Sequence, residues 1–261
     1  MDCNCSEHNL TMDDNSHLRR IIIKIQARLS DDDRKYLHFF LGDDIPRRIR
    51  DDPTLGGTLC AMESLFDRDI ISGDDFTYLI NAFEAIGCLD AVTILKVIEG
   101  REFGSARGTH FDDSTHPYFT SSHYLNGILA RDNDDDLESY QFYYSSSCGS
   151  QDIITSERHG KQTLSFKKDF QFDKNEKIQS VEGHYLNKTI VFSNGTILTM
   201  RIITGLRFYT TKGYASPSYA GEEGEMFEEE YENYTLWYVT GRSDEYIHQL
   251  QFYWYRTLDI D

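Results

Sequence analysis

The side chains of this 261-residue chain that could ligate or react are many, but few have the spacing that chemistry requires. His110, His116 and His123 do not match the ligand spacing of a zinc site. Two acidic runs, Asp132 to Asp136 and Glu222 to Glu232, offer the oxygen ligands calcium prefers. Neither has the EF-hand spacing or its closing glutamate, so both read as solvated loops. Five cysteines stand at 3, 5, 60, 88 and 148, an odd number at irregular intervals. Cys3 and Cys5 alone cannot fill a tetrahedral zinc site. Cys60 and Cys88 fall in helical apolar patterns and are expected to be small buried hydrophobes. All five are expected to be reduced thiols. Gly-x-Ser-x-Gly, a phosphate-binding loop, His-Glu-x-x-His and an identifiable Cys–His pair are missing, and paired carboxylates are too common to single out a glycosidase. The expectation is a protein with no catalytic residues, no metal and no cofactor.

One residue suggests binding instead. In YLHFFLG, residues 36 to 42, the apolar stripe is read as Leu37, Phe40 and Leu41. At about 100° per residue Phe39 points the other way. A large apolar side chain on an outer face suggests a contact site, the plain alternative being a single exposed aromatic.

Periodicity defines the elements that would position these residues, and it changes near residue 100. Before that point apolar residues recur at helical spacing; after it they alternate and are enriched in Tyr, Phe, Thr and Ile. Helix one begins near Ser16 with the stripe Leu18, Ile21, Ile22, Ile25 and Leu29. Ser30 and three aspartates cap helix two, which stops near Gly42. A short basic piece, PRRIRDD, lies between Pro46 and Pro53. Helix four carries Leu59, Met62, Leu65 and Phe66; Ser72 with Asp75 caps helix five, whose face is Phe76, Leu79, Ile80 and Phe83; helix six carries Leu89, Val92, Leu95 and Ile98. Downstream, Leu250, Phe252 and Trp254 alternate with Gln251 and Tyr253, and Asn194-Gly195 signals a tight hairpin.

The predicted organisation is α plus all-β in two domains: a flexible tail over 1–15, a six-helix bundle over 16–100, a Gly-rich linker over 101–107 and a β domain over 108–261. A net charge of -18 argues against free nucleic acid as a partner. No apolar run approaches the ~18 residues of a membrane helix. The N-terminal MDCNCSEHNL has no apolar h-region, so no secretory signal is read and a cytoplasmic protein is expected.

The stretch Tyr36 to Arg48, YLHFFLGDDIPRR, resembles the helix two to helix three segment of death effector domains, and the resemblance covers about residues 17 to 98 in helix order. It implies a death-fold bundle in which the outward Phe39, beside Phe40, inserts between helices one and four of the next copy, giving open-ended assembly. It further implies a surface charge cluster, to which Asp33 and Asp90 correspond. The cation of that cluster is replaced by Cys88, and Arg47 and Arg48 could supply positive charge nearby.

Three later stretches, FGSARGTHFDD (103 to 113), SVEGHY (180 to 185) leading to TGLRFYTTKGYASPSYAGEEGEMF (204 to 227), and VTGRSDEYIHQLQFYW (239 to 254), resemble jacalin-related lectins in family order. The resemblance implies a β-prism of three four-stranded sheets. It also implies a sugar site between the loop at Gly108 and the final loop Asp244, Glu245, Tyr246, Ile247 and His248. Arg107-Gly108 stands where mannose-binding members have Gly-Gly, and His248 stands where they have the carboxylate, so the mannose motif is degenerate. The combined expectation is a cytosolic adaptor or sensor in cell-death or innate-immune signalling. Its partners would be itself, death-effector adaptors and initiator caspases, with the prism recognising a glycan or other ligand. The alternatives are an oligomeric carbohydrate-binding lectin, or a modulator of death-effector assembly with a non-binding prism.

Overall fold

The computed structural model describes residues 14–73, 75–120, 122–133, 136–146, 153–162, 165–166, 168–173, 176–191, 195–221 and 223–256. Cys3, Cys5, Cys148, Asn194 and the expected tail up to residue 13 lie outside them. The chain divides into two compact units at Lys96/Val97.

The first unit holds six helices: α1 (Asp14–Gln26), α2 (Asp31–Leu41), α3 (Arg47–Arg50), α4 (Leu55–Asp67), α5 (Thr77–Ala85) and α6 (Leu89–Lys96). The apolar stripe of α1 is buried as its spacing requires. Ser30 caps α2 in a closed capping box: its hydroxyl accepts from the Asp33 amide at 3.1 Å, and the Asp33 carboxylate accepts from the Ser30 amide at 2.8 Å. His38 ties three elements together, with Nδ1 3.1 Å from the Ile49 carbonyl oxygen and Nε2 3.0 Å from the Thr58 hydroxyl. Several expected core positions are displaced. Phe40 is 41% exposed, leaning on the Tyr78 ring, because buried His38 takes the inward position beside Leu37 and Leu41. Leu59 and Leu89 are exposed, as is Cys60, while Cys88 is half-buried. The N-cap of α5 is Phe76 rather than Ser72, whose hydroxyl instead accepts from the Asp75 amide one turn earlier.

The second unit begins with a strand where helix six and a linker were expected. β1 (Val97–Gly104) pairs antiparallel with β13 (Ile247–Arg256), Ile98 lying opposite Trp254. The glycines there serve close packing: a Cβ on Gly100 would lie 2.1 Å from the Glu229 carboxylate. The three sheets are antiparallel, the architecture of a β-prism. The first runs β1-β13-β12-β2, with β12 (Tyr234–Ser243) central and β2 (Thr109–Asp112) at the edge. The second runs β10-β9-β8-β11, built on the long hairpin of β8 (Ile178–Val191) and β9 (Ile197–Thr210), with β10 (Tyr219–Ala220) and β11 (Glu225–Glu230) outside. The third holds β3 (His123–Asp132), β4 (Leu137–Ser146), β7 (Lys168–Gln171), and two short strands on β4, β5 (Ile154–Thr155) and β6 (His159–Gly160). The third sheet has five strands rather than four because its outer strand is split. At Ser156 the hydroxyl, not a carbonyl, accepts the Phe142 N–H at 2.9 Å, interrupting the ladder. Ser216 repeats the device on Phe208 at 3.1 Å, and the Phe142 and Phe208 rings meet edge to face in the core.

The acidic runs are expected to be solvated: Glu223, Glu225, Glu228, Glu230 and Glu232 are exposed, but three other members, Asp132, Asp136 and Glu229, are buried. Glu229 is buried between sheets, accepting from the Arg101 amide at 2.7 Å and the Trp254 indole at 2.9 Å. Asp132 is buried on Lys168 and the Ala220 amide.

Candidate functional site

The loop joining β12 to β13 is folded around Asp244. Its amide donates to the Tyr246 carbonyl at 3.0 Å. Its Oδ1 accepts from the Tyr246 amide at 3.1 Å and from His248 Nε2 at 2.8 Å. The side chain is 54% exposed. Partial burial pushes the Asp244 carboxyl up, but the Tyr246 amide, His248 and the Glu245 amide outweigh it and hold it below the ordinary aspartate value. The result is an anchored, charged acceptor at a cleft of about 490 Å³, lined also by Thr109, Phe111, Lys161 and Glu245. Such a group can accept two hydroxyl donors of a sugar at once.

His248 is 1% exposed and cannot itself replace the family's sugar-binding carboxylate; it is the prop beneath Asp244. Ile247 is also removed from the expected set, because its side chain is fully buried. Glu245 is exposed on the cleft. Tyr246 is half-buried, with the Lys188 ammonium 5.6 Å from its ring centroid and Lys188 paired to Asp136. Gly108 does lie against this loop. Its φ is +78°, and a Cβ there would lie 2.9 Å from the Ser243 carbonyl and the His248 ring. Arg242 donates to its carbonyl at 3.2 Å, and the Ser105 amide donates to the His248 carbonyl at 2.7 Å, so both loops form one unit.

A jacalin-like lectin domain family model matches residues 101–253. The chain belongs to the jacalin-like lectin family. Two relatives from Arabidopsis thaliana are similar: PYK10-binding protein 1, 31% identical over 149 residues, and PYK10-binding protein 2, 31% identical over 148. The matched stretches take 57% and 56% of this chain but only 44% of each relative. Among solved structures, a mannose-binding jacalin-related lectin from Ananas comosus is 16% identical, covering 62% of this chain and 99% of its own (TM-score 0.47). Frutapin from Artocarpus incisa is 18% identical, covering 61% and 97% (TM-score 0.47). The helical unit lies outside the residues matched to the family, and none of these findings shows a death effector domain.

In that unit Phe39 is 86% exposed, as its angle on α2 requires. Asp33 is spent on the helix cap, while Asp90 is exposed in the first turn of α6. Cys88 lies near both: burial pushes its thiol up, and the charges of Asp33 and Asp90 add to the effect. Arg47 pairs with Asp51 at 3.5 Å, and Arg48 is exposed beside it. Sequence reasoning missed the buried Asp113, although it ends the quoted THFDD motif, and its partners His159 and Tyr144. Among the described residues no cluster of His, Cys, Asp or Glu is placed to hold a metal ion, and no helix is long and apolar enough to cross a membrane.

Proposed function

We propose that this chain is a carbohydrate-binding lectin whose sugar site is the loop end at Asp244, and whose helical unit gathers several prisms for avidity. The observation that carries the reading is the Asp244 carboxylate: charged, propped by His248 and more than half exposed at a cleft beside the Gly108 loop. A site with one carboxylate acceptor and few other hydrogen-bonding groups holds a single sugar weakly, at millimolar strength or about -4 kcal/mol. Linking several prisms strengthens binding by ~10²–10⁴. Phe39 on one copy and the exposed Ile23 and Leu59 of α1 and α4 on the next supply the apolar contact. No catalysis is assigned to the chain.

The test is capture of the full chain on a broad glycan array. Asp244→Ala should abolish capture, and Phe39→Gly should weaken it to the single-site level. Absence of capture on every glycan, or capture indifferent to Asp244→Ala, overturns the reading. In the first case the prism becomes a protein-binding module, the role the names of the Arabidopsis relatives give to those proteins.

A second reading is favoured by the same Phe39 and the YLHFFLGDDIPRR segment: a cytosolic adaptor recruiting death-effector adaptors and initiator caspases. Its test is pull-down of such domains by the full chain and loss of it on Phe39→Gly.

A further inference from the structure

A second cleft, of about 350 Å³, is separate from the one at Asp244. Phe111 and His159 line both, and their rings stack with centroids 3.6 Å apart, so the pair is a partition between the two. The end of β2 and the turn at 113–115 form one side of the second cleft, and the turn leading into β6 forms the other. Its volume is within the range of about 300–1,000 Å³ of ligand sites.

The charge of its lining is one-sided. Asp112, Asp113 and Glu157 all line it, and among the described residues no lysine or arginine does. Asp113 is buried, with Tyr144 donating its hydroxyl at 2.6 Å and His159 donating from Nε2 at 2.8 Å. No lysine or arginine pairs with it among the described residues. A buried carboxylate without a cation is costly, and a positive charge brought into the cleft would offset that cost.

Acids alone would not define a ligand; His159 adds the second observation. Its ring is 3% exposed. A carboxylate only accepts, so the ring proton sits on Nε2, and in the neutral ring Nδ1 carries the lone pair. Nδ1 has no partner among the described residues and opens to the space the ring lines. It is a fixed acceptor that waits for a donor from outside. The acceptors are not gathered closely enough to hold a metal ion. An ammonium group needs no fixed coordination, because its three N–H donors can be shared among separate acceptors. Phe111 and Pro117 add apolar surface along which a methylene stem can lie.

We infer that this second cleft binds a protonated primary amine on an aliphatic stem. The ammonium donates to His159 Nδ1 and to the carboxylates of Asp112 and Glu157, with the stem against Phe111 and Pro117. Lysine side chains of a protein partner and free polyamines share this chemistry. The inference does not depend on the sugar site.

The experiment is a nuclear magnetic resonance titration of the full chain, carrying isotope-labelled histidine, with butylamine, butanol, Nα-acetyl-lysine amide and spermidine at neutral pH. The amines should shift the His159 Nδ1 resonance and saturate, and butanol should not. Glu157→Gln removes a charged acceptor at an exposed position and should weaken the amines about tenfold, the effect of one hydrogen bond to a charged group. Thr115→Lys brings an ammonium into the cleft from an exposed lining position and should abolish binding. Glu232→Gln alters an exposed carboxylate outside the cleft and should change nothing. Tighter binding of the lysine amide than of spermidine assigns the ammonium to a protein side chain, and the reverse order assigns it to a free polyamine. Amines that fail to saturate, an equal response to butanol, or full binding by Thr115→Lys overturns the inference. So does equal weakening by Glu157→Gln and Glu232→Gln, which would show only general attraction to an acidic chain. Loss of amine binding in Asp244→Ala would place the amine in the other cleft and also overturn it.

Discussion

Gly108→Ala should separate loop geometry from simple backbone strain, provided it is measured beside Gly213→Ala. Both glycines have φ near +80°, a conformation that costs a non-glycine residue about 1–2 kcal/mol. Around Gly213 a new Cβ meets nothing within 4 Å, so the strain is the whole effect. At Gly108 the Cβ arrives 2.9 Å from Ser243 backbone atoms and from the His248 ring, neither of which is a free end that can swing aside. Crowding of that kind adds about 1–3 kcal/mol. At about 2–4 °C per kcal/mol for a unit of this size, Gly213→Ala should lower the melting temperature by about 2–8 °C and Gly108→Ala by about 4–20 °C. The binding consequence is sharper. Relief of the clash must move the Ser243–Asp244 turn or the His248 prop, so Gly108→Ala should lose glycan capture while Gly213→Ala keeps it. Differential scanning calorimetry and glycan-surface capture on the full chain read both effects. Equal melting shifts, or normal capture by Gly108→Ala, would refute the coupling of the two loops.

Other perturbations follow from the same structure. Phe39→Gly should abolish concentration-dependent oligomers of the full chain in sedimentation velocity with helical content retained, since burying that ring is worth about 2 kcal/mol or more; unchanged sedimentation would exclude Phe39 as the contact. Because the folded pKa of Asp244 lies below its ordinary 3.8, the carboxylate's contribution to stability is complete above 3.8 and is lost as pH falls through the folded value. Glycan capture should therefore survive acidification from about pH 7 to pH 5, and a capture midpoint above about pH 5 would show that another group controls the site. Glu229→Ala strands the Trp254 indole and the Arg101 amide without acceptors, at about 1–3 kcal/mol each; Glu229→Gln retains an acceptor oxygen and should melt higher than the alanine variant.

The helices and strands of this chain were legible wherever a period was unbroken. The stripe of α1, the Ser30 cap and the outward angle of Phe39 follow from local rules of spacing and capping, and the structure shows each. What the period could not resolve was competition at the margin of a face. His38 displaces Phe40 because its ring can reach Ile49 and Thr58, partners distant in sequence. Ile98 continues a helical stripe on paper, but β13 is available to pair with it and the ladder prevails. Acidic residues were the least legible. Asp132, Asp136 and Glu229 look like solvent charge in sequence, yet each is buried on a donor from another segment. At the candidate site, resemblance located the two loops but assigned His248 and Ile247 to the ligand. Only the burial of both side chains in the folded structure shows that neither faces a ligand, passing the exposed role to Asp244.

The pairing of β1 with β13 also sets an order of events during synthesis. The ladder partners Glu99 and Tyr253 are 154 positions apart in the chain. At about 5–20 residues per second, β1 would wait roughly 8–30 s on the ribosome before its partner emerges. Over that interval the helices, whose contacts are local, can already be folded, while β1 stays an open edge and the first sheet cannot close. Glu99, Arg101 and Glu102 place alternating charges on the waiting strand, which discourages it from pairing with the same strand of a neighbouring nascent chain. The lectin unit is thus sealed last, by the strand that also carries His248, the support of Asp244.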